Sequence, residues 1–521
     1  NSKDIDIIAI PDLFLNRYHT SLLHLSTVQK TSLKKRIIRK FKNKFTDYFG
    51  ISQIPDGDQL PIYIKRIDFT ENTSIHFCEH HKAHAAATYY TSGFSDKKVL
   101  IVTMDGLGGG VSSALWLGEE SKILPIKKYG PSSSIGIFYS NATEAIGWRV
   151  NSDEWKLMGL APYGKLGKVD LSQFHPHYEN GFLLKQNNPK FYALGAVYRD
   201  GNSFHTHNNG AKEIKNYISK LDINTEDLAA EVQKISEQEI LNFIIPNLER
   251  HGTDHLACGG GCFMNIKLNG LLRDHKKVKN FWVYPDAGDA GLSIGAAYDA
   301  YYKNLDQQKS KDILRLNHLY LGPSFNNEEI KETLLDKGIK FKQCDNICEL
   351  TAELLSRNLS IGWFQGKMET GPRALGNRSI LMSPIDKSNK ATLNAKIKYR
   401  ENFRPFCPSI LEEEVKNWIT NPKEERFMAS SFNVIKNKAN RIPAVVHVDG
   451  TLRPQFVSKE TNPKYHKLIN EFFKITSVPI LLNTSFNVKG EPIVCNPTDA
   501  IRCFYSSGLD ALVIGDFLIK K

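Results

Sequence analysis

Three apolar runs in this chain stop at glycines or small polar residues, and that punctuation restricts the fold to sheets alternating with helices. Val99-Leu100-Ile101-Val102-Thr103-Met104 ends in Asp105-Gly106, and the turn Gly108-Gly109-Gly110 leads to a second strand-like run over 112–117. Leu256-Ala257-Cys258 enters Gly259-Gly260-Gly261 and then a helical run from about Cys262. Pro479-Ile480-Leu481-Leu482 enters Asn483-Thr484-Ser485-Phe486-Asn487. Short apolar runs bounded by turn residues read as strands. Residues 225–250 read as a helix, with Thr225 as its N-cap and Gly252 just past its end. The apolar residues at 5–10 predict an opening strand, and the whole pattern is that of an α/β protein.

At 521 residues the chain exceeds one compact core, so two or three domains are expected. The style changes near residue 318, where Leu321-Gly322-Pro323-Ser324 reads as a connector and Ser324 or Asn326 caps a helix to about Lys337. The expected division is 1–317 and 318–521.

A formal charge of +12 points to anionic ligands or an anionic surface. The densest cationic word is Gly371-Pro372-Arg373-Ala374-Leu375-Gly376-Asn377-Arg378-Ser379, followed by Lys398, Arg400 and Arg404. Guanidinium forks and ammonium groups around a Gly/Pro turn suit a small, doubly charged anion; a salt-bridged surface is the alternative. In His80-His81-Lys82-Ala83-His84, the first and last histidines lie at i and i+4 on one helix face, about 6 Å apart. Asp105 and Asp289, each beside glycines, would complete a His2Asp2 set suited to Fe, Mn or Zn, although such a pair alone also serves as capping or surface histidines. The glycines at 259–261 expose backbone N–H groups to a phosphate at a helix start. Asn265 and Asn269 would face a ribose or base, or simply the solvent. Glu154 and Lys156 would orient a nucleotide phosphate or pair with each other. Asn483 to Asn487 lies where a strand ends and ligands tend to bind, or forms a turn.

The eight cysteines form no C-x-x-C pair and fit reduced thiols in a cytosol. No apolar run spans a bilayer. Residues 33–49 carry Leu33, Ile37, Phe41 and Phe45 opposite lysines and arginines, which predicts an amphipathic helix. That helix packs on its own domain or contacts an anionic surface peripherally.

Taken together, HHKAHAAATYY, TMDGLGGG, EWKLMGLAPYG, CGGGCFMNIKLNG, PDAGDAGLSIGAAY, WFQGKMETGPRALGNRSIL, NAKIKYRENFRPF and LLNTSFNVKGEPIV resemble, in order, the NodU/CmcH/TobZ-type O-carbamoyltransferases. The resemblance implies an N-terminal ASKHA (actin/Hsp70-like) domain followed by a YrdC-like domain. It further implies that the second domain makes carbamoyl-adenylate from carbamoyl phosphate and ATP, with Mg2+ on the ATP phosphates. The first domain would then transfer the carbamoyl group to a hydroxyl of a small molecule or glycan. By the same resemblance, Arg373, Lys398 and Arg404 grip carbamoyl phosphate and nucleotide phosphate, with Ser485 and Asn487 as the S-x-N element and Arg378 beside the nucleotide. His80, His84, Asp105 and Asp289 would hold an iron-type metal, and Gly260, Gly261, Asn265 and Lys156 would face the adenylate. Family members begin with a strand and a His-Asp turn that offers a general base, and nothing in 1–53 matches it. Either the sequence lost its natural start or another base serves. A homodimer is compatible with the resemblance, and no nucleic acid is expected. The rivals are threonylcarbamoylation of tRNA, hydrogenase-cofactor carbamoylation, and a nucleotide-binding scaffold or nucleic-acid adaptor.

Overall fold

The computed structural model describes residues 7–11, 74–188, 194–200, 203–304, 313–401 and 403–521. The amphipathic helix expected over 33–49 lies outside the described residues, as does most of 1–53. The opening strand is Ile7–Pro11, and it pairs in parallel with Ser74–Cys78.

The first large sheet has five strands. Val99–Gly108, Val111–Glu119 and Lys122–Tyr129 form an antiparallel meander. His255–Gly259 then joins Val99–Gly108 in parallel, and Asn280–Val283 extends the sheet beyond it. The first of these strands is apolar from Val99 to Val102 because helices cover its faces, and it turns polar where it leaves the core at Asp105. The expected hairpin is present, with Gly109 and Gly110 both at positive φ.

The helix Thr225–Arg250 forms where its periodicity predicts, but Asn224 rather than Thr225 caps it, accepting from the Asp227 amide at 2.7 Å. Between strand His255–Gly259 and helix Ile266–Asp274, residues Gly261–Met264 make a tight 3-10 turn where a continuous helix was expected from Cys262. The Asn265 carboxamide caps that helix, accepting from the Lys267 and Leu268 amides. Asn326 and Glu329 close a reciprocal capping box on Asn327–Asp336.

The second large sheet has eight strands and is built wholly from residues 342–520. Its centre is Ile361–Phe364, Arg378–Met382 and Ile480–Ser485, with every side chain of the first two buried. A single apolar core from Ile330 to Ile519 surrounds this sheet. A separate cluster mixes Ile101, Trp116 and Trp282 with Leu375, Cys407 and Phe427, so the two regions share apolar contact. No helix among the described residues is long and apolar enough to cross a membrane.

Candidate functional site

His80 to Tyr89 is a helix whose start is fixed by Glu79, which accepts from the His81 and Lys82 amides. The i, i+4 spacing puts His80 and His84 against the end of strand Val99–Gly108. The Nε2 atoms of His80 and His84 lie 3.4 and 3.2 Å from Asp105 Oδ2, and 3.6 and 3.5 Å from Asp289 Oδ1. The four side chains predicted as a metal set therefore converge, all within 4.8 Å. Gly108 is required here, since a Cβ at that position would enter the His80 ring. Burial would lower His84 and raise Asp105, but hydrogen bonds within the cluster outweigh it: Asp105 and Asp289 raise His84 to about 8, and His80 and His84 hold Asp105 well below the carboxylate range. His81 points elsewhere. Its ring is buried between Thr103 Oγ1 and the Val111 carbonyl, 3.0 and 2.9 Å away, and burial lowers it to about 4.

Asp105 also lines a cavity of about 620 Å3 whose walls come from both large sheets and the helices around them. Its far wall carries Arg373, Arg400, Arg404 and Arg453. Burial first, then guanidinium neighbours, lowers Arg373 and Arg400 to about 9 each. Arg400 Nη2 and Arg404 Nε are buried without a hydrogen-bond partner. Arg404 stacks its guanidinium 3.5 Å from the Trp155 ring, joining the two walls. Ser485 and Thr484 reach the cavity from a strand that continues through Ser485, three residues beyond the expected strand end at Leu482.

Of the other predicted residues, Arg378, Lys398, Asn487, Lys156, Gly260 and Asn269 stand off the cavity wall, whereas Glu154 lies on it. Arg378 is fully buried, and its guanidinium donates to the carbonyls of Gln365, Gly366, Asn377 and Pro323 while covering the Phe364 ring at 3.6 Å. The Lys398 ammonium donates to Ser485 O, Ser485 Oγ, Asn487 O and Asn487 Oδ1, at 2.6 to 3.2 Å. Burial, then Arg400, holds Lys398 well below the usual lysine range. Lys398 and Asn487 thus brace the strand end that presents Ser485. Lys156 pairs with Asp153 at 2.9 Å and Glu401 at 3.7 Å rather than with Glu154. Glu154 instead accepts from Ser140 Oγ and the Asn151 amide. Gly260 sits behind the wall at φ +97°, where a Cβ would strike the Met104 carbonyl. Gly261 and Asn265 do line the cavity, and Asn265 exchanges hydrogen bonds with Gln233 at 3.0 and 3.1 Å. Asn269 is buried, donating to the Phe263 and Ala429 carbonyls.

Sequence reasoning missed Arg453, Cys407 and Glu237. Arg453 lies in a short stretch with no local pattern, and its guanidinium donates twice to Cys407 Sγ, at 2.9 and 2.7 Å. Glu237 was findable: Gln233, Ser236, Glu237 and Ile240 share one face of helix Thr225–Arg250, so polar groups interrupt a buried stripe. Burial raises the Glu237 carboxyl above its ordinary value of 4.5 against the Gln233 amide, which donates to it at 2.7 Å.

A family model described as carbamoyltransferase N-terminus matches residues 4–298, and one described as carbamoyltransferase C-terminus matches 352–521. An uncharacterized protein of Synechocystis is 36% identical over 490 residues, covering 85% of this chain and 76% of that protein. Nodulation protein NolNO of Sinorhizobium fredii is 37% identical, covering 86% of this chain; the chain spans 64% of NolNO. Nodulation protein NolO of Bradyrhizobium diazoefficiens is 35% identical, with 85% of this chain and 78% of NolO covered.

Proposed function

Because the chain belongs to the carbamoyltransferase family and is a carbamoyltransferase enzyme, we propose that it is an ATP-dependent O-carbamoyltransferase with two reaction centres on one cavity. The observation that carries this reading is the continuity of that cavity between the arginine wall and Asp105 of the His2Asp2 cluster. In this reading residues 318–521 are the YrdC-like, adenylate-forming domain and 1–317 the ASKHA-type transfer domain. The meander followed by two parallel strands supports the second assignment.

At the arginine wall, Arg373, Arg400, Arg404 and Arg453 neutralise carbamoyl phosphate and the ATP phosphates. Water splits carbamoyl phosphate into carbamate and phosphate, and the carbamate oxygen then attacks the ATP α-phosphorus, giving carbamoyl-adenylate as pyrophosphate leaves. ATP enters as its Mg2+ complex, because that ion keeps phosphate and water ligands rather than a protein cage. Ser485 offers its hydroxyl to the phosphates, and Lys398 with Asn487 fixes the strand end that carries it.

At the other end, two imidazoles and two carboxylates fit an iron-type ion with positions to spare, Asp289 being half exposed. When bound, such an ion supplies Lewis-acid polarisation of the carbamoyl carbonyl or a hold on the nucleotide phosphate. Gly261 and Asn265 face the adenylate. Glu237 takes the proton from the acceptor hydroxyl as the hydroxyl oxygen attacks the carbamoyl carbon and AMP leaves; a carboxyl raised by burial is a better base for that task than an ordinary one. The acceptor is a hydroxyl of a sugar or other small molecule.

Radiolabelled carbamoyl phosphate with ATP tests the reading on the full chain. Pyrophosphate release that depends on carbamoyl phosphate is expected, followed by label transfer to one member of a hydroxyl-acceptor panel. Salt-sensitive binding of RNA or DNA without such release would point to a nucleic-acid adaptor instead.

A further inference from the structure

A second cluster of metal-ligating side chains lies behind the first. His76 and Cys78 stand two residues apart in strand Ser74–Cys78, so both side chains leave the same face of it. That face meets the helix Leu292–Asn304, which supplies Asp299. One ligand atom from each of His76, Cys78 and Asp299 falls within a 4.8 Å set. His76 Nε2 lies 2.8 Å from Asp299 Oδ2, and the other carboxylate oxygen of Asp299 is held by Lys82 Nζ at 2.9 Å. Cys78 and Asp299 are buried at 1% and 5% exposure, against a small apolar cluster of Ala83, Leu292 and Ala296. Nothing in the carbamoyl-transfer reading uses these three groups.

We propose that His76, Cys78 and Asp299 form a three-donor site for a zinc-class divalent ion, separate from the His80–His84–Asp105–Asp289 cluster. One nitrogen, one sulfur and one carboxylate oxygen make a borderline-soft donor set, which selects zinc-like ions over Mg2+ or Ca2+. On binding, the Cys78 thiol gives its proton to solvent and the sulfur becomes a ligand, while Asp299 Oδ2 exchanges His76 for the ion. Lys82 keeps its contact with Oδ1 and fixes the carboxylate's orientation, the part that outer partners play around metal ligands. The ion would pin the strand that runs into His80 to the helix that follows Asp289, bracing both sides of the first cluster from behind.

Cobalt(II) titration of the metal-stripped full chain separates the two clusters, because only this one contains sulfur. A near-ultraviolet thiolate-to-cobalt charge-transfer band is expected, quenched by one equivalent of Zn2+, which outranks cobalt at such sites. Cys78→Ser removes the band, His84→Ala retains it, and His76→Gln or Asp299→Asn weakens cobalt binding at least about tenfold. The two latter variants carry the test if Cys78→Ser does not fold. Absence of the band at saturating cobalt, or its persistence in Cys78→Ser, overturns the site. Failure of pyrophosphate release would instead count against the carbamoyl-transfer reading and leave the band unchanged.

Discussion

Arg373 and Arg378 stand five residues apart in one motif and have opposite fates. Arg378 is spent on the protein itself, its guanidinium threaded among four main-chain carbonyls. Arg373 is crowded with Arg400, Arg404 and Arg453 on a cavity wall, where burial and like charge depress it. The histidines repeat the contrast. His81 is consumed by Thr103 and Val111, whereas His80 and His84 face two carboxylates. Groups spent on main-chain partners hold the scaffold, and like-charged groups crowded on a cavity wall are placed for a ligand. Gathering several like charges on one buried wall costs stability, and such a cluster facing a cavity marks a site.

The largest effect expected from this contrast is on catalysis. Arg404→Ala should reduce carbamoyl-phosphate-dependent pyrophosphate release about 10²–10³-fold with little change in melting temperature, since it removes one charge donor from the wall. Unimpaired release at saturating carbamoyl phosphate would remove Arg404 from the site. His84→Ala should lose bound metal by elemental analysis and impair transfer more than pyrophosphate release. Unchanged metal content would reject the ligand set. Arg378→Ala should behave oppositely to Arg404→Ala, costing roughly 3 kcal/mol in denaturant unfolding because several buried carbonyls lose their donor at once. A fold as stable as the parent's, with activity lost, would place Arg378 among the ligand-binding cations and erase the contrast.

Much of this was legible in the sequence, and the misses share a cause. The strand end at Gly259, the helix Thr225–Arg250 and the His80–His84 pair follow from local periodicity and from glycine at element ends, whereas the strand expected to stop at Asp105 runs on to Gly108. Local pattern cannot say which cation of a motif finds carbonyls and which finds a cavity, because the partners of Arg378 and Lys398 are set by chain crossings. The Pro323 carbonyl accepts from Arg378 across 55 residues of chain, and the Asn487 side chain accepts from Lys398 across 89. Arg453 escaped for the same reason: it joins the wall only because Gln455–Val457 pairs with Cys407–Leu411.

The crowded wall should also respond to ligand more than the scaffold does. Inorganic phosphate or pyrophosphate at about 100 times its Kd should stabilise the parent by about 2.7 kcal/mol. Arg373→Gln or Arg453→Gln should melt at or above the parent temperature without ligand, through relief of like-charge crowding, and lose most of that ligand-induced gain. An equal gain in both variants and parent would locate the anion elsewhere.

Glu237 extends the contrast to a carboxylate, with the smallest effect, below about 1 kcal/mol. Its carboxyl titrates above 4.5 in the folded chain and at the ordinary value when unfolded. Between those two values the native state binds more proton than the unfolded state, so this group's contribution to stability falls as pH rises through the window. Above the window the full penalty of a buried carboxylate remains. Glu237→Gln removes it, so the variant should match the parent in acid and exceed it at neutral pH, while transfer to acceptor falls and pyrophosphate release persists. A stability gain of the same size at every pH would assign the effect to packing. An unchanged transfer rate would mean that the proton leaves by another group.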